Sequence, residues 1–120
     1  MIYGIGNDIV EMARITASIQ NKRFMTFCFS ERERTEYDGS VQKLAGCFAA
    51  KEAIAKALGT GVRGFSMDEI TVMRDELGKP YFVFEGKIEQ IMVSKSLTAH
   101  LAITNTNEYA LANVVLEAKI

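Results

Sequence analysis

The chain has 120 residues, 48% hydrophobic and 24% charged, and its 14 basic residues nearly cancel 15 acidic ones for a net charge of −1. That composition is too apolar for a disordered chain and lacks the basic excess of a nonspecific nucleic-acid binder. One proline and no glycine-, proline- or serine-rich linker leave residues 1–120 to be expected as a single domain with its own core.

The opening Met1-Ile2-Tyr3-Gly4 lacks the basic segment and apolar run of a signal peptide, and no stretch reaches the ~20 apolar residues that cross a bilayer. A cytoplasmic protein without a membrane or nucleic-acid partner is therefore expected. Ile2 to Ile9 alternates and predicts a strand in which Gly4, Gly6 and Asp8 share one face. The two glycines leave room for something to approach the backbone beside Asp8. A helix follows, burying Met12, Ile15 and Ile19. Ser30 with Glu33 forms a capping-box pattern that opens a second helix through Tyr37.

The strongest helical periodicity runs from Gln42 to Leu58, with Leu44, Phe48, Ala55 and Leu58 recurring along it and Gly59-Thr60-Gly61 as its stop. Two strands, Ile70–Asp75 and Tyr81–Phe84, flank a turn containing Gly78 and Pro80. Lys87 to Val93 reads as a short helix, and a terminal hairpin pairs Ala99–Thr104 with Tyr109–Leu116 through Asn105–Asn107. Strands and helices mix without regular β-α-β alternation, which predicts the α+β class, a largely antiparallel sheet with a long packed helix.

Taken singly, most motifs read blandly. Gly4-x-Gly6 fails as a dinucleotide fingerprint because Ile9 stands where the third glycine belongs, and Gly59-Thr60-Gly61 lacks the Gly-Lys-Ser/Thr of a phosphate loop. His100, the one histidine, falls in a predicted strand, where a packed structural role outweighs service as a hydrolase base. Cys28 and Cys47 lack zinc or redox spacing and read as free thiols. Asp8-x-x-Glu11 reads locally as a capping box, and Glu52 with Lys56 as an i, i+4 surface ion pair. Lys51 lies close to the apolar stripe, so it must either snorkel out or meet an anion.

The order of these pieces along the chain says more. Gly6-Asn7-Asp8-Ile9-Val10-Glu11, followed by Arg14-Ile15, resembles the N-terminal signature of the holo-acyl-carrier-protein synthases. Phe48-Ala49-Ala50-Lys51-Glu52-Ala53-Ile54-Ala55-Lys56-Ala57-Leu58-Gly59-Thr60-Gly61 is similar to their second signature, nearly letter for letter. Gly78-Lys79-Pro80 resembles the family's hairpin turn, and Ile103-Thr104, Glu108-Tyr109-Ala110 and Val114-Val115-Leu116-Glu117 its terminal hairpin.

The resemblance implies the 4′-phosphopantetheinyl transferase fold and transfer of phosphopantetheine from coenzyme A to a serine of apo-acyl carrier protein, in support of fatty acid biosynthesis. It implies magnesium (Mg2+) held by Asp8 and Glu52, with Lys56 reaching the transferred phosphate and Gly59 and Gly61 letting backbone approach the coenzyme. Glu52, Lys56 and a metal-bound water all remain open as the general base. Arg14, with Lys22 and Arg23 nearby, would meet an acidic carrier protein. The family also implies a homotrimer with active sites between subunits.

Two departures affect the coenzyme site. Where the family has arginine before the phenylalanine of its second signature, this chain has Cys47; where it has histidine followed by threonine, this chain has Asn105 and Thr106. The resemblance implies that these positions meet the phosphates at the nucleotide end of coenzyme A, where asparagine offers a hydrogen bond without charge. The competing reading keeps the fold without the chemistry, as a non-catalytic module that binds coenzyme A or the carrier protein. The retained Asp8, Glu52 and Lys56 weigh against it.

Overall fold

A computed structural model describes residues 1–119. It orders β1 (Ile2–Glu11), α1 (Met12–Ser18), α2 (Lys22–Cys28), α3 (Glu31–Glu36), α4 (Val41–Leu58), β2 (Ile70–Arg74), β3 (Pro80–Phe84), α5 (Gly86–Ser94), β4 (Leu97–Asn105) and β5 (Tyr109–Ala118). β5 is the middle of an antiparallel three-stranded sheet, β1-β5-β4, while β2 and β3 form a separate antiparallel hairpin. The α+β class and the long helix expected from the sequence are both present.

Period-2 alternation makes β5 two-faced: Ala110, Ala112, Val114 and Leu116 are buried, while Asn113 and Glu117 are exposed. α4 lies across the buried face of the sheet, and its alanines set how closely. A Cβ at Gly4 would overlap the Ala57 carbonyl oxygen, and one at Gly6 the Ala53 carbonyl oxygen. The space that the glycines leave is therefore filled by the backbone of α4, not by a ligand. This corrects the expectation of open room beside Asp8, and it explains why Asp8 ends up against that helix.

The capping reading of Asp8 is also overturned. β1 runs two residues further than its alternation indicated, because Val10 and Glu11 still pair with Ala110 and Tyr109. Asp8 thus sits inside the ladder opposite Ala112, and Glu11 takes the N-cap position of α1 without a side-chain cap.

α2 had no sequence forecast. Asn21 caps it, its Oδ1 accepting from the Arg23 and Phe24 amides at 2.8 and 3.2 Å. α3 opens with the expected capping box of Ser30 and Glu33.

Glu33 does more than cap. Its Oε1 accepts from the Ser30 amide at 2.9 Å and from Lys51 Nζ at 2.5 Å, and its Oε2 from the Val72 amide at 2.8 Å. Lys51 also donates to the Cys28 carbonyl at 2.8 Å, and its ammonium stands 5.3 Å from the Phe29 ring centroid. Both charged side chains are 0% exposed, so Lys51 meets its anion rather than snorkelling. Burial pushes the Lys51 ammonium towards neutrality and Glu33 opposes that push.

Two further expectations change. His100 is not packed: it is exposed on the sheet, with Nε2 2.9 Å from Glu117 Oε1. Cys47 is in the core at 2% exposure, and burial, together with the Glu33 charge, raises its thiol well above the usual value. It therefore does not stand open to a phosphate. Cys28 and Cys47 are both free thiols, as expected.

Candidate active site

Because β1 packs directly on α4, residues more than forty positions apart become neighbours. Lys56 Nζ donates to Asp8 Oδ1 at 3.0 Å, with the lysine side chain 54% exposed and the aspartate 18%. Glu52, one turn earlier on α4, is half-buried beside them. The i, i+4 pair of Glu52 with Lys56 expected from spacing is absent: the ammonium goes to Asp8 instead.

Burial raises the Glu52 carboxyl above its ordinary range, and the Asp8 charge raises it further, while Lys56 and Arg14 pull it down. Arg14, exposed on α1, is thus within electrostatic reach of the same cluster. Two carboxylates, one lysine and one arginine converge from β1, α4 and α1. Among the described residues no three His, Cys, Asp or Glu side chains gather as a ready cage for a metal.

The donors that do meet, Asp8 and Glu52, are hard oxygens, and the repulsion visible at Glu52 is what a cation between them would relieve. Such a pair suits an ion that keeps water and phosphate oxygens for its remaining positions.

Gly59 ends α4 in the left-handed conformation at φ 84°, its amide bonded to the Lys56 carbonyl, and Gly61 follows at φ 66°. No heavy atom lies within 4 Å of a Cβ position at either glycine, so this backbone is open one turn from Lys56. Asn105 and Thr106 lie elsewhere. Asn105 Oδ1 accepts from Gln42 Nε2 at 2.9 Å, and Thr106 lines a shallow cleft of about 310 Å³ with Met12, Thr16, Val41 and Gln42. Gln42 precedes Glu52 by ten residues, about 15 Å along the helix axis. A single chain therefore does not bring Asn105 and Thr106 to the carboxylates.

Lys22 and Arg23 start α2 and line a surface cleft of about 460 Å³ with Thr26, Phe27, Ser66 and Asp68. Phe27, 70% exposed, is the apolar member that the sequence reading missed. Its one signal is the i, i+4 spacing from Arg23, invisible until α2 is known to be a helix.

Comparison with known proteins follows the same outline. The family model described as the 4′-phosphopantetheinyl transferase superfamily matches residues 4–114. The chain is 44% identical over 128 aligned positions to a holo-acyl-carrier-protein synthase of Clostridium perfringens, spanning 99% of this chain and 96% of the relative. The crystal structure of the Neisseria meningitidis holo-acyl-carrier-protein synthase superposes with a TM-score of 0.90 at 36% identity, covering 98% and 99% of the two chains. A Bacillus anthracis holo-acyl-carrier-protein synthase, solved in complex with CoA (3′,5′-ADP), gives a TM-score of 0.84 at 37% identity over 99% of both chains. With whole-chain identity of this order, a matching fold and a matched family model, this chain belongs to the 4′-phosphopantetheinyl transferase superfamily.

Proposed function

We propose that this chain is a holo-acyl-carrier-protein synthase, moving the 4′-phosphopantetheine arm of coenzyme A to a serine hydroxyl of an apo-acyl carrier protein and releasing adenosine 3′,5′-bisphosphate. The observation that carries the reading is the meeting of Asp8, Glu52 and Lys56 from two distant segments of a family member. A binding module without chemistry has no use for two carboxylates held against their mutual repulsion.

The serine oxygen attacks the diphosphate phosphorus that bears the pantetheine arm. A new P–O bond forms as the bond to the adenosine 3′,5′-bisphosphate oxygen breaks. Such a displacement relies on positioning and charge stabilisation rather than on covalent chemistry by the protein. Lys56, exposed at the mouth of the cluster, supplies the positive charge for the transferred phosphoryl group. Glu52, half-buried beside Lys56 and Asp8, would accept the serine proton. Asp8 and Glu52 would hold magnesium, which when bound neutralises diphosphate charge. Gly59 and Gly61 give the coenzyme an open stretch of backbone beside Lys56. Arg14, Lys22 and Arg23 present exposed positive charge to an acidic carrier protein.

The active unit is a homotrimer in this reading. Ile5 and Ile9 are 64% and 58% exposed on the sheet face turned away from α4, and Val115 and Leu111 pair beside them. This apolar face favours a second copy as its cover. A neighbour seated there would also supply Asn105 and Thr106 to the coenzyme site that one chain leaves divided. The described residues hold no helix long and apolar enough to cross a membrane. In the proposed reading the protein acts in the cytoplasm, supplying holo-carrier protein for fatty acid synthesis.

The test is to incubate the protein with coenzyme A and apo-acyl carrier protein, with magnesium or with chelator, and to read the carrier by intact mass. A gain of one phosphopantetheine only with magnesium supports the reading. An unmodified carrier that a related synthase does modify would overturn it. Light scattering at the mass of one chain would overturn the trimer.

A further inference from the structure

We propose that the buried Glu33–Lys51 pair is a positioning device for the transfer site, fixing the rotation and axial register of α4 so that Glu52 and Lys56 face Asp8. The proposal rests on the functional reading above.

Along β1, α4 offers little to prevent slippage. Ala53 and Ala57 ride on Gly6 and Gly4, and Ala45, Ala49 and Ala50 are also fully buried. Alanine on glycine is a close but smooth contact, and the larger side chains of the other strands, such as Ile103 against Gly46, pack on α4 without a directional bond. Lys51 supplies a directional, hydrogen-bonded contact that the apolar sheet side lacks. It precedes Glu52 by one residue, about 100° of helix rotation. Holding Lys51 on Glu33 therefore dictates where Glu52 points.

The anchor itself is fixed from three directions. Glu33 caps α3 through Ser30, holds β2 through the Val72 amide, and receives Lys51 from α4, while Lys51 also reaches the carbonyl of Cys28 at the end of α2. Among the described residues no buried side-chain polar atom lacks a partner, so the network is complete. An apolar pair would fill the same volume yet tolerate slip. Setting register is the best-attested reason for a protein to keep a buried ion pair.

A single substitution strands a buried charge and endangers folding, so the decisive protein is the double variant Glu33→Gln/Lys51→Met. It buries no charge, and the amide oxygen still accepts a backbone N–H. After thermal melts establish that it is folded, its affinity for Mn2+ is compared with the native protein by calorimetry, without coenzyme or carrier. Transfer kinetics then follow. The expected result is cation binding weakened by roughly 10–100-fold, as when groups supporting metal ligands are lost. kcat should fall with it, and by more than any rise in KM for the carrier, which in the functional reading meets α1 and the start of α2, away from the Cys28 end that Lys51 holds. A folded double variant with native cation affinity and native kcat overturns the proposal and leaves the pair a structural one. A native protein that transfers nothing defeats only the functional reading, since cation affinity is read without substrate. Should the native protein bind no more Mn2+ than Glu52→Gln does, crystal structures of native and double variant decide. A displaced Glu52 supports the proposal, and an unmoved one overturns it.

Discussion

Lys56 bypasses Glu52, its neighbour one turn back on the same helix, and gives its ammonium to Asp8 at 3.0 Å, 48 positions away in sequence. An i, i+4 pair contributes only ~0.2–0.5 kcal/mol even when formed, so the partly buried Asp8 easily wins the contact. The consequence is a lysine held beside the carboxylates with its side chain 54% exposed, which in the proposed transfer would turn to the phosphate. Lys56→Met keeps most of the stem and removes the charge. Turnover is expected to fall on the order of 10²–10³-fold, the cost of deleting one donor to developing charge, with KM for coenzyme A much less affected. Steady-state kinetics check this, and near-native kcat would return Lys56 to a surface role.

Glu52 should trade stability for activity. Burial and Asp8 raise its folded carboxyl above the unfolded value, so its ionised form is disfavoured by folding. The penalty is absent below the unfolded value, grows as pH rises through the raised folded value, and is complete above it. Glu52→Gln is therefore expected to be more stable than the native protein at neutral pH, with the gain vanishing in acid, while transfer collapses. Urea melts across pH read the first effect.

Two glycines of similar local appearance should respond differently to alanine. At Gly6 the new Cβ meets the Ala53 carbonyl oxygen and, 2.7 Å away, the Ala57 amide nitrogen, both helix backbone. Gly6→Ala is expected to cost about 1–3 kcal/mol or more as an overpacked contact and to shift α4 off the transfer geometry, lowering activity beyond the stability loss. Gly59→Ala meets open space and carries only the left-handed backbone penalty of ~1–2 kcal/mol. Denaturant midpoints and specific activity of the folded fraction separate the two.

Asn105 accepts a hydrogen bond from Gln42 at an exposed site with room for a larger ring. Asn105→His should tighten coenzyme A by about tenfold, the worth of one charge-assisted contact, and most clearly where the imidazole is cationic. Calorimetry with dephospho-coenzyme A is the control: equal tightening for both ligands would remove the 3′-phosphate as the target. Cys47→Arg, in contrast, would force a guanidinium into the core beside Lys51, and a folding defect is expected instead of tighter binding.

Most of the local structure was legible in the residue order, α2 excepted. Alternation marked β1 and the terminal hairpin, the Ser30–Glu33 box marked the start of α3, and Gly59 marked the end of α4, because each signal operates within a few residues of backbone. The sequence's resemblance to a known family also singled out Asp8, Glu52 and Lys56 as the candidates for the transfer chemistry. What each of them touches emerged from the packing of strands against α4. Asp8 passed for a cap until pairing with β5 carried the strand past it. Gly4 and Gly6 passed for a ligand's access route until α4 was found lying on them. Glu33 showed one role in sequence and three in space, since Lys51 and Val72 stand 18 and 39 positions away. Contacts of that range depend on which faces of helix and sheet meet, and a residue's own neighbours in sequence carry no record of that choice.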